Sequence, residues 1–261
     1  MRDMLNKVPQ VTLLFWLIKS LATTVGETAA DFINVNLKLG LVLTSAVMTA
    51  LLIIALAVQF LARKYRPPIY WLVVVLISVV GTLLSDNLVD NLHVSLIVSS
   101  TLFAAALAIV FVTWYAREKT LSVHTITTTR REGFYWAAIL FTFSLGTSAG
   151  DLIAEKIGLG YALSAALFLA LIGAVYAAWK FLKIDAVLAF WVAYVLTRPL
   201  GASTGDLLSQ PTNLGGFNLG TTWTSVMFLS AIAVMVMFEV RKQNRLEDRT
   251  GPAAPVGPDI V

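Results

Sequence analysis

Four aspartates hold the same place in a repeated pattern, and their carboxylates are the most reactive groups the pattern contains: Asp31, Asp86, Asp151 and Asp206. Each ends a stretch of the form aromatic-W-x9-G-x3-small-D: FWLIKSLATTVGETAAD from Phe15, YWLVVVLISVVGTLLSD from Tyr70, YWAAILFTFSLGTSAGD from Tyr135 and FWVAYVLTRPLGASTGD from Phe190. An ionisable residue within a membrane span costs roughly 2.5–3.5 kcal/mol on insertion scales and marks a water-filled path or a paired site. Glu27, Asp90 and Glu155 enlarge the set, and the pairs Glu27/Asp31, Asp86/Asp90 and Asp151/Glu155 are spaced to share a helix face. About one turn before each repeat Asp stands another oxygen, on Glu27, Thr82, Thr147 and Ser203. Gathered around a common axis, these groups form a negative, oxygen-rich cluster that suits Mg²⁺, Mn²⁺ or Ca²⁺ and for which protons compete. On this reading Glu27, Asp31, Asp86, Asp151 and Asp206 are cation, metal and proton ligands, and Asp90 and Glu155 form an outer electrostatic funnel. The plainer alternative puts each Asp about 22 Å beyond an interfacial Trp, in the opposite headgroup region, where it is solvated or bonded to loop backbone.

The other repeated residues have structural readings beside functional ones. Trp16, Trp71, Trp136 and Trp191, each preceded by Phe or Tyr, sit near the starts of their spans and read as interfacial anchors or packing residues, with a ring-like gate as the alternative. Gly26, Gly81, Gly146 and Gly201 are each followed four positions on by Ala30, Ser85, Gly150 or Gly205, which is the small-xxx-small pattern of close helix approach. Local unwinding that frees carbonyls, helped in the last repeat by Pro199, is the second possibility. Lys19 and Arg198 are the basic residues deep in spans; pairing with Glu27 or a repeat Asp is favoured over an internal cation displaced during transport, and an anionic substrate is the contrary reading. His93 and His124 read as incidental loop residues.

These side chains have to be positioned by spanning helices. Of 261 residues 58% are apolar and 13% charged, with a mean hydropathy of +0.80, a composition outside that of soluble domains. Eight apolar segments reach the roughly 20 residues a spanning helix needs, at 11–33, 39–62, 69–89, 94–116, 134–154, 158–180, 185–207 and 219–240. The fold expected is therefore all-α, a polytopic membrane protein of eight transmembrane helices. Of the 19 Lys and Arg, 15 fall on one side, while Lys38 and Lys156 lie on the other, which places both termini in the cytoplasm. Lys19 interrupts the first apolar run, so that segment reads as a retained span rather than a signal peptide.

The four tryptophans are 55, 65 and 55 residues apart, a spacing that implies duplication of a duplication. Each unit is a helix pair, so all four units cross the membrane in the same direction. The expected organisation is a first half at 1–118 with repeats 1 and 2, a cytoplasmic linker at 119–133, a second half at 134–242 with repeats 3 and 4, and a disordered cytoplasmic tail at 243–261. Absence of Cys excludes thiol chemistry and disulfides.

The four Trp, four Gly and four Asp, with GETAAD at 26–31 the most distinctive stretch, resemble those of a family of bacterial membrane proteins built from four tandem two-helix repeats and classed as a repeat of unknown function. The resemblance covers about residues 7–241 and implies the architecture, without a substrate.

The function expected from the residues is that of a secondary transporter in a bacterial inner membrane, moving a cation, foremost a divalent metal such as manganese or magnesium, with protons as coupling ion. The alternatives are a transporter of small organic cations using aromatic faces and a scaffold or accessory subunit without transport. No phosphate-binding Gly-Lys loop, HExxH or GxSxG occurs, so no enzymatic role is expected. No cofactor is required. The expected partners are the lipid bilayer, the cation and protons, with homodimerisation open and no nucleic acid.

Overall fold

The computed structural model describes residues 6–249, and all regular structure in that range is helical. The eight long helices are α1 (Leu13–Asp31), α2 (Leu41–Leu61), α3 (Pro67–Asp86), α4 (Leu96–Glu118), α5 (Thr129–Asp151), α6 (Tyr161–Phe181), α7 (Ala186–Ser209) and α8 (Thr221–Arg249). Seven are long and apolar enough to cross a membrane, which is the mark of a multi-pass membrane protein. The exception is α1, which carries Lys19 and Glu27 within it and Asp31 at its end.

Local chemistry sets the helix ends. Thr12, Ser95, Thr128 and Asp185 cap α1, α4, α5 and α7 by accepting a backbone N–H of the first turn. Pro67 and Pro68 open α3, where a missing N–H costs nothing. Gly40 and Gly160, with φ of 73° and 77°, turn the chain into α2 and α6 in a conformation that a side chain disfavours.

The odd-numbered helices close a ring, with α1 packed on α3, α3 on α5, α5 on α7 and α7 back on α1. The even-numbered helices lie outside it, each against the inner helix of the following pair: α2 on α3, α4 on α5, α6 on α7 and α8 on α1. Half or more of the most apolar stretch of α3, α5 and α7 is buried in the protein, against less than a quarter in α2, α4, α6 and α8. The α3–α5 and α7–α1 contacts both join the first four helices to the last four.

Two segments expected to lie outside the long helices carry helical structure. The segment 119–133, expected as the linker, holds a short helical turn at Val123–Thr125 and the start of α5; Ile126 is fully buried, and the Leu121 carbonyl accepts the Trp191 indole N–H at 2.9 Å. The tail expected to be disordered from 243 continues α8 to Arg249; residues 250–261 lie outside the described range. Lys7, counted among the cytoplasmic charges, is buried with Glu132 at 2.7 Å, and Gln59 donates to the same carboxylate at 3.0 Å.

Candidate functional site

Positions spaced four apart form an oblique ridge on each inner helix, and the inner ring packs along these ridges. Counted from the repeat Trp, the residue before it and those 3, 7, 11 and 15 after it make five layers. The first holds Phe15, Tyr70, Tyr135 and Phe190. Each of these rings meets the Trp of the next repeat: Phe15–Trp71 at 5.7 Å, Tyr70–Trp136 at 5.5 Å, Tyr135–Trp191 at 6.3 Å and, closing the circle, Phe190–Trp16 at 5.6 Å. The Tyr70 and Tyr135 hydroxyls are bonded at 2.5 Å. Trp71, Trp136 and Trp191 are buried and Trp16 is half-buried, so the four pack within the ring of aromatics.

The next two layers contain Lys19 and Arg198, the buried bases of the inner helices. Lys19 lies with Val74, Ile139 and Tyr194, all fully buried. Its ammonium donates to the Tyr194 carbonyl at 2.7 Å and to the Thr197 hydroxyl, and rests 4.3 Å from the Tyr194 ring centre. No carboxylate among the described residues pairs with it, contrary to the pairing expected. Arg198 shares its layer with Thr23, Ser78 and Phe143. These four residues are the ones the repeat glycines touch: Gly26 lies on Ser78, Gly81 on Phe143, Gly146 on Arg198 and Gly201 on Thr23. A Cβ built on Gly81 stands 2.7 Å from that of Phe143, which is closer than real side chains pack. The glycines sit inside unbroken helices, so close approach is the role they play and the unwound alternative is not adopted.

The fourth layer is Glu27, Thr82, Thr147 and Ala202. Glu27 Oε2 at 2.8 Å, Thr147 Oγ1 at 2.7 Å and Thr82 Oγ1 surround one nitrogen of Arg198, Nη2, and share its two N–H groups. Nη1 donates to the Thr23 carbonyl at 3.3 Å. Both threonine hydroxyls donate at 3.2 Å to carbonyls one turn back, Ser78 and Phe143, which turns their lone pairs to the guanidinium. The fourth repeat contributes Arg198 from the layer below and, in the cage's own layer, the buried Ala202, which carries no polar group. One carboxylate and two hydroxyls, from three repeats, therefore enclose a cation supplied by the fourth.

One turn further out are the repeat aspartates. Asp31, Asp86 and Asp151 are the last residues of α1, α3 and α5, each followed by a single π-helical turn, whereas α7 runs on to Ser209 past Asp206. Asp206 is buried and the other three are half-buried. The four are electrostatic neighbours around the ring, Asp31 with Asp86, Asp86 with Asp151, Asp151 with Asp206 and Asp206 with Asp31, and the charge of Glu27 reaches them all. Asp90 and Glu155 are exposed beyond them, Glu155 accepting a bond from Tyr161 at 3.1 Å. No three acidic or His side chains among the described residues are grouped so as to hold a metal ion. The expected cluster is thus a ring of separated acids above one oxygen cage, not a compact metal centre.

The sequence profile of a family described as Repeat of Unknown Function (DUF347) matches four times, at residues 14–65, 69–120, 134–185 and 189–244. The chain belongs to this family. Each DUF347 match covers one helix pair, α1–α2, α3–α4, α5–α6 or α7–α8. No curated protein and no solved structure matches the chain.

Within the DUF347 repeat, two features escaped the sequence reading. Steps of four from the aromatic residue before Trp to the Asp are present in the sequence, and they alone identify the layers holding Thr23, Phe143, Tyr194 and Ala202. The buried hydroxyls Thr44, Ser99 and Ser164 recur at matching places at the starts of α2, α4 and α6. Ser99 bonds Ser148 of α5 at 2.7 Å, and Ser225 of α8 bonds Thr28 of α1 at 2.8 Å, which pins outer helices to the ring.

Proposed function

We propose that the chain is a proton-coupled secondary transporter of cations in a bacterial inner membrane. Its eight helices all span the bilayer as four parallel two-helix units, with both termini in the cytoplasm. The excess of Lys and Arg on one side supports the orientation, and the ring of helices, each outer one packed on the following unit, supports the parallel arrangement. The reading assigns no enzymatic activity and requires no cofactor.

The observation that carries the reading is the cage of Glu27, Thr82 and Thr147 around the Arg198 guanidinium. It is an all-oxygen cation site, buried beneath four carboxylates, and an internal cation fills it. Asp31, Asp86, Asp151 and Asp206 concentrate cations at the mouth, with Asp90 and Glu155 as an outer funnel. A cation that displaces the guanidinium from Glu27 takes the cage, and the aspartates accept and release protons as positive charge leaves and arrives. Mg²⁺ and Mn²⁺ are the first substrates to test because every ligand is a hard oxygen. A divalent ion needs more than the one carboxylate of the cage, so Asp31, Asp86, Asp151 or Asp206 must move towards it.

The second reading, a small organic cation, is favoured by the ion the cage already holds: a guanidinium, with aromatic rings one and two layers away. Both are tested in proteoliposomes that enclose metal- and pH-sensitive dyes. Wild-type protein is expected to show cation-linked proton movement, lost in E27Q and in the D31N/D86N/D151N/D206N variant. Proton movement driven by methylguanidinium but by no metal selects the organic cation. Folded wild-type protein that moves neither is a scaffold or accessory subunit, and the transport reading then fails.

A further inference from the structure

A groove of about 560 Å³ runs between α3 and α8, at a distance from the cage. Its walls are Trp71, Leu72 and Val75 of α3 and Ile232 and Val236 of α8, and Arg241 is the one charged side chain that lines it. Besides its ring partner α1, α8 packs on α3, and Glu239 holds the two together: it accepts the Trp71 indole N–H at 2.8 Å and the Tyr65 hydroxyl at 2.9 Å. Glu239 is thereby committed to α3. Two residues on, about 200° around the helix, Arg241 is exposed at the groove's end.

Length and charge together identify the occupant. From Leu229, the other limit of the groove on α8, to Arg241 the helix rises about 18 Å. One leaflet of hydrocarbon is about 15 Å thick. A groove that is apolar over that depth and ends in a guanidinium matches a phospholipid, with an acyl chain along α8 and its phosphate on Arg241. Exposed Arg63 and Arg66, in the loop just before α3, add positive charge at the same end. A zwitterionic headgroup gains little from such a field, whereas a headgroup with net negative charge is attracted by it.

We infer that the α3–α8 groove is a binding site for one anionic phospholipid, held by Arg241 at its headgroup. The site is independent of the transport reading, since it shares no residue with the cage or the acid ring.

The test is native mass spectrometry of the full chain, purified in detergent and incubated with phosphatidylglycerol or phosphatidylcholine. Wild type is expected to retain one phosphatidylglycerol at least about fivefold better than phosphatidylcholine. Arg241→Gln should bring the two lipids level. Ala233→Trp, which fills the groove from α8, should lose both, and Arg117→Gln at the end of α4 should keep the preference. Equal retention of the two lipids by wild type overturns the assignment. So does a preference that survives Arg241→Gln, or a dimer that Ala233→Trp dissociates, which makes a second copy of the chain the occupant.

Discussion

Arg198 and Glu27, 171 residues apart and in the last and first repeats, meet at 2.8 Å with their side chains 0% and 9% exposed. The pair closes the inner ring where the chain's two ends come together. A charge buried this deeply is costly once its partner is gone, by about 3–5 kcal/mol. E27Q should therefore lower the unfolding temperature in detergent well below that of wild type, while E27M/R198M, which leaves neither charge stranded, recovers most of the loss. Equal melting temperatures for E27Q and wild type would show that the pair contributes nothing to the fold.

Gly81 fills a different structural need. Its missing side chain lets α3 approach α5 at Phe143 and the Ser144 backbone, and a methyl there has to displace main chain. G81A should cost about 1–3 kcal/mol, the usual range for overpacking. Gly173 in α6 has open space around it and should behave oppositely, G173A adding up to about 1 kcal/mol of helix stability. Thermal melts of the two variants side by side separate close packing from mere helix propensity.

Much of this arrangement was legible in the sequence, for identifiable reasons. Apolar length located the helices to within a few residues at most ends, and Trp-to-Asp spacing located the repeats. Arg198 with Glu27 was among the pairings anticipated. What was not legible is which repeat touches which, because Phe143 under Gly81 and Thr23 under Gly201 acquire meaning only when the ring closes. Lys7 shows the limit of charge counting: a basic residue at a membrane surface reads the same whether solvated or buried against Glu132. The run from Gln243 to Arg249 looked disordered for its charge, yet Gln, Arg, Leu and Glu are good helix formers, and the helix already running through Val240 continues along them.

Tyr65, in the loop between α2 and α3, links alkaline stability to the α3–α8 contact. Burial pushes its phenol above the ordinary range, and the Glu239 carboxylate that accepts its hydrogen bond pushes it further. A phenol that holds its proton more tightly when folded contributes stability that is complete below the unfolded value of about 10 and is lost as pH rises above it. Wild type should therefore lose unfolding free energy above about pH 10 more steeply than Y65F. At neutral pH Y65F should be less stable by about 1 kcal/mol, the worth of one hydrogen bond. Parallel pH–stability curves would remove Tyr65 from the contact.

The cage offers the most selective prediction, because it separates a cation site from a salt bridge. R198A removes the guanidinium and leaves Glu27, Thr82 and Thr147 facing a void of guanidinium shape beneath the aspartates. A planar cation with N–H donors fits the three oxygens as Arg198 does, whereas Na⁺ lacks the donors. Methylguanidinium at low millimolar concentration should raise the melting temperature of R198A, NaCl at equal ionic strength should do so far less, and wild type, its cage filled, should respond to neither. E27Q/R198A should lose the response, since two hydroxyls without a carboxylate hold a cation weakly. If a divalent ion instead stabilises R198A at lower concentration than methylguanidinium, the repeat aspartates have joined Glu27 around it, and the metal reading of the site gains over the organic one.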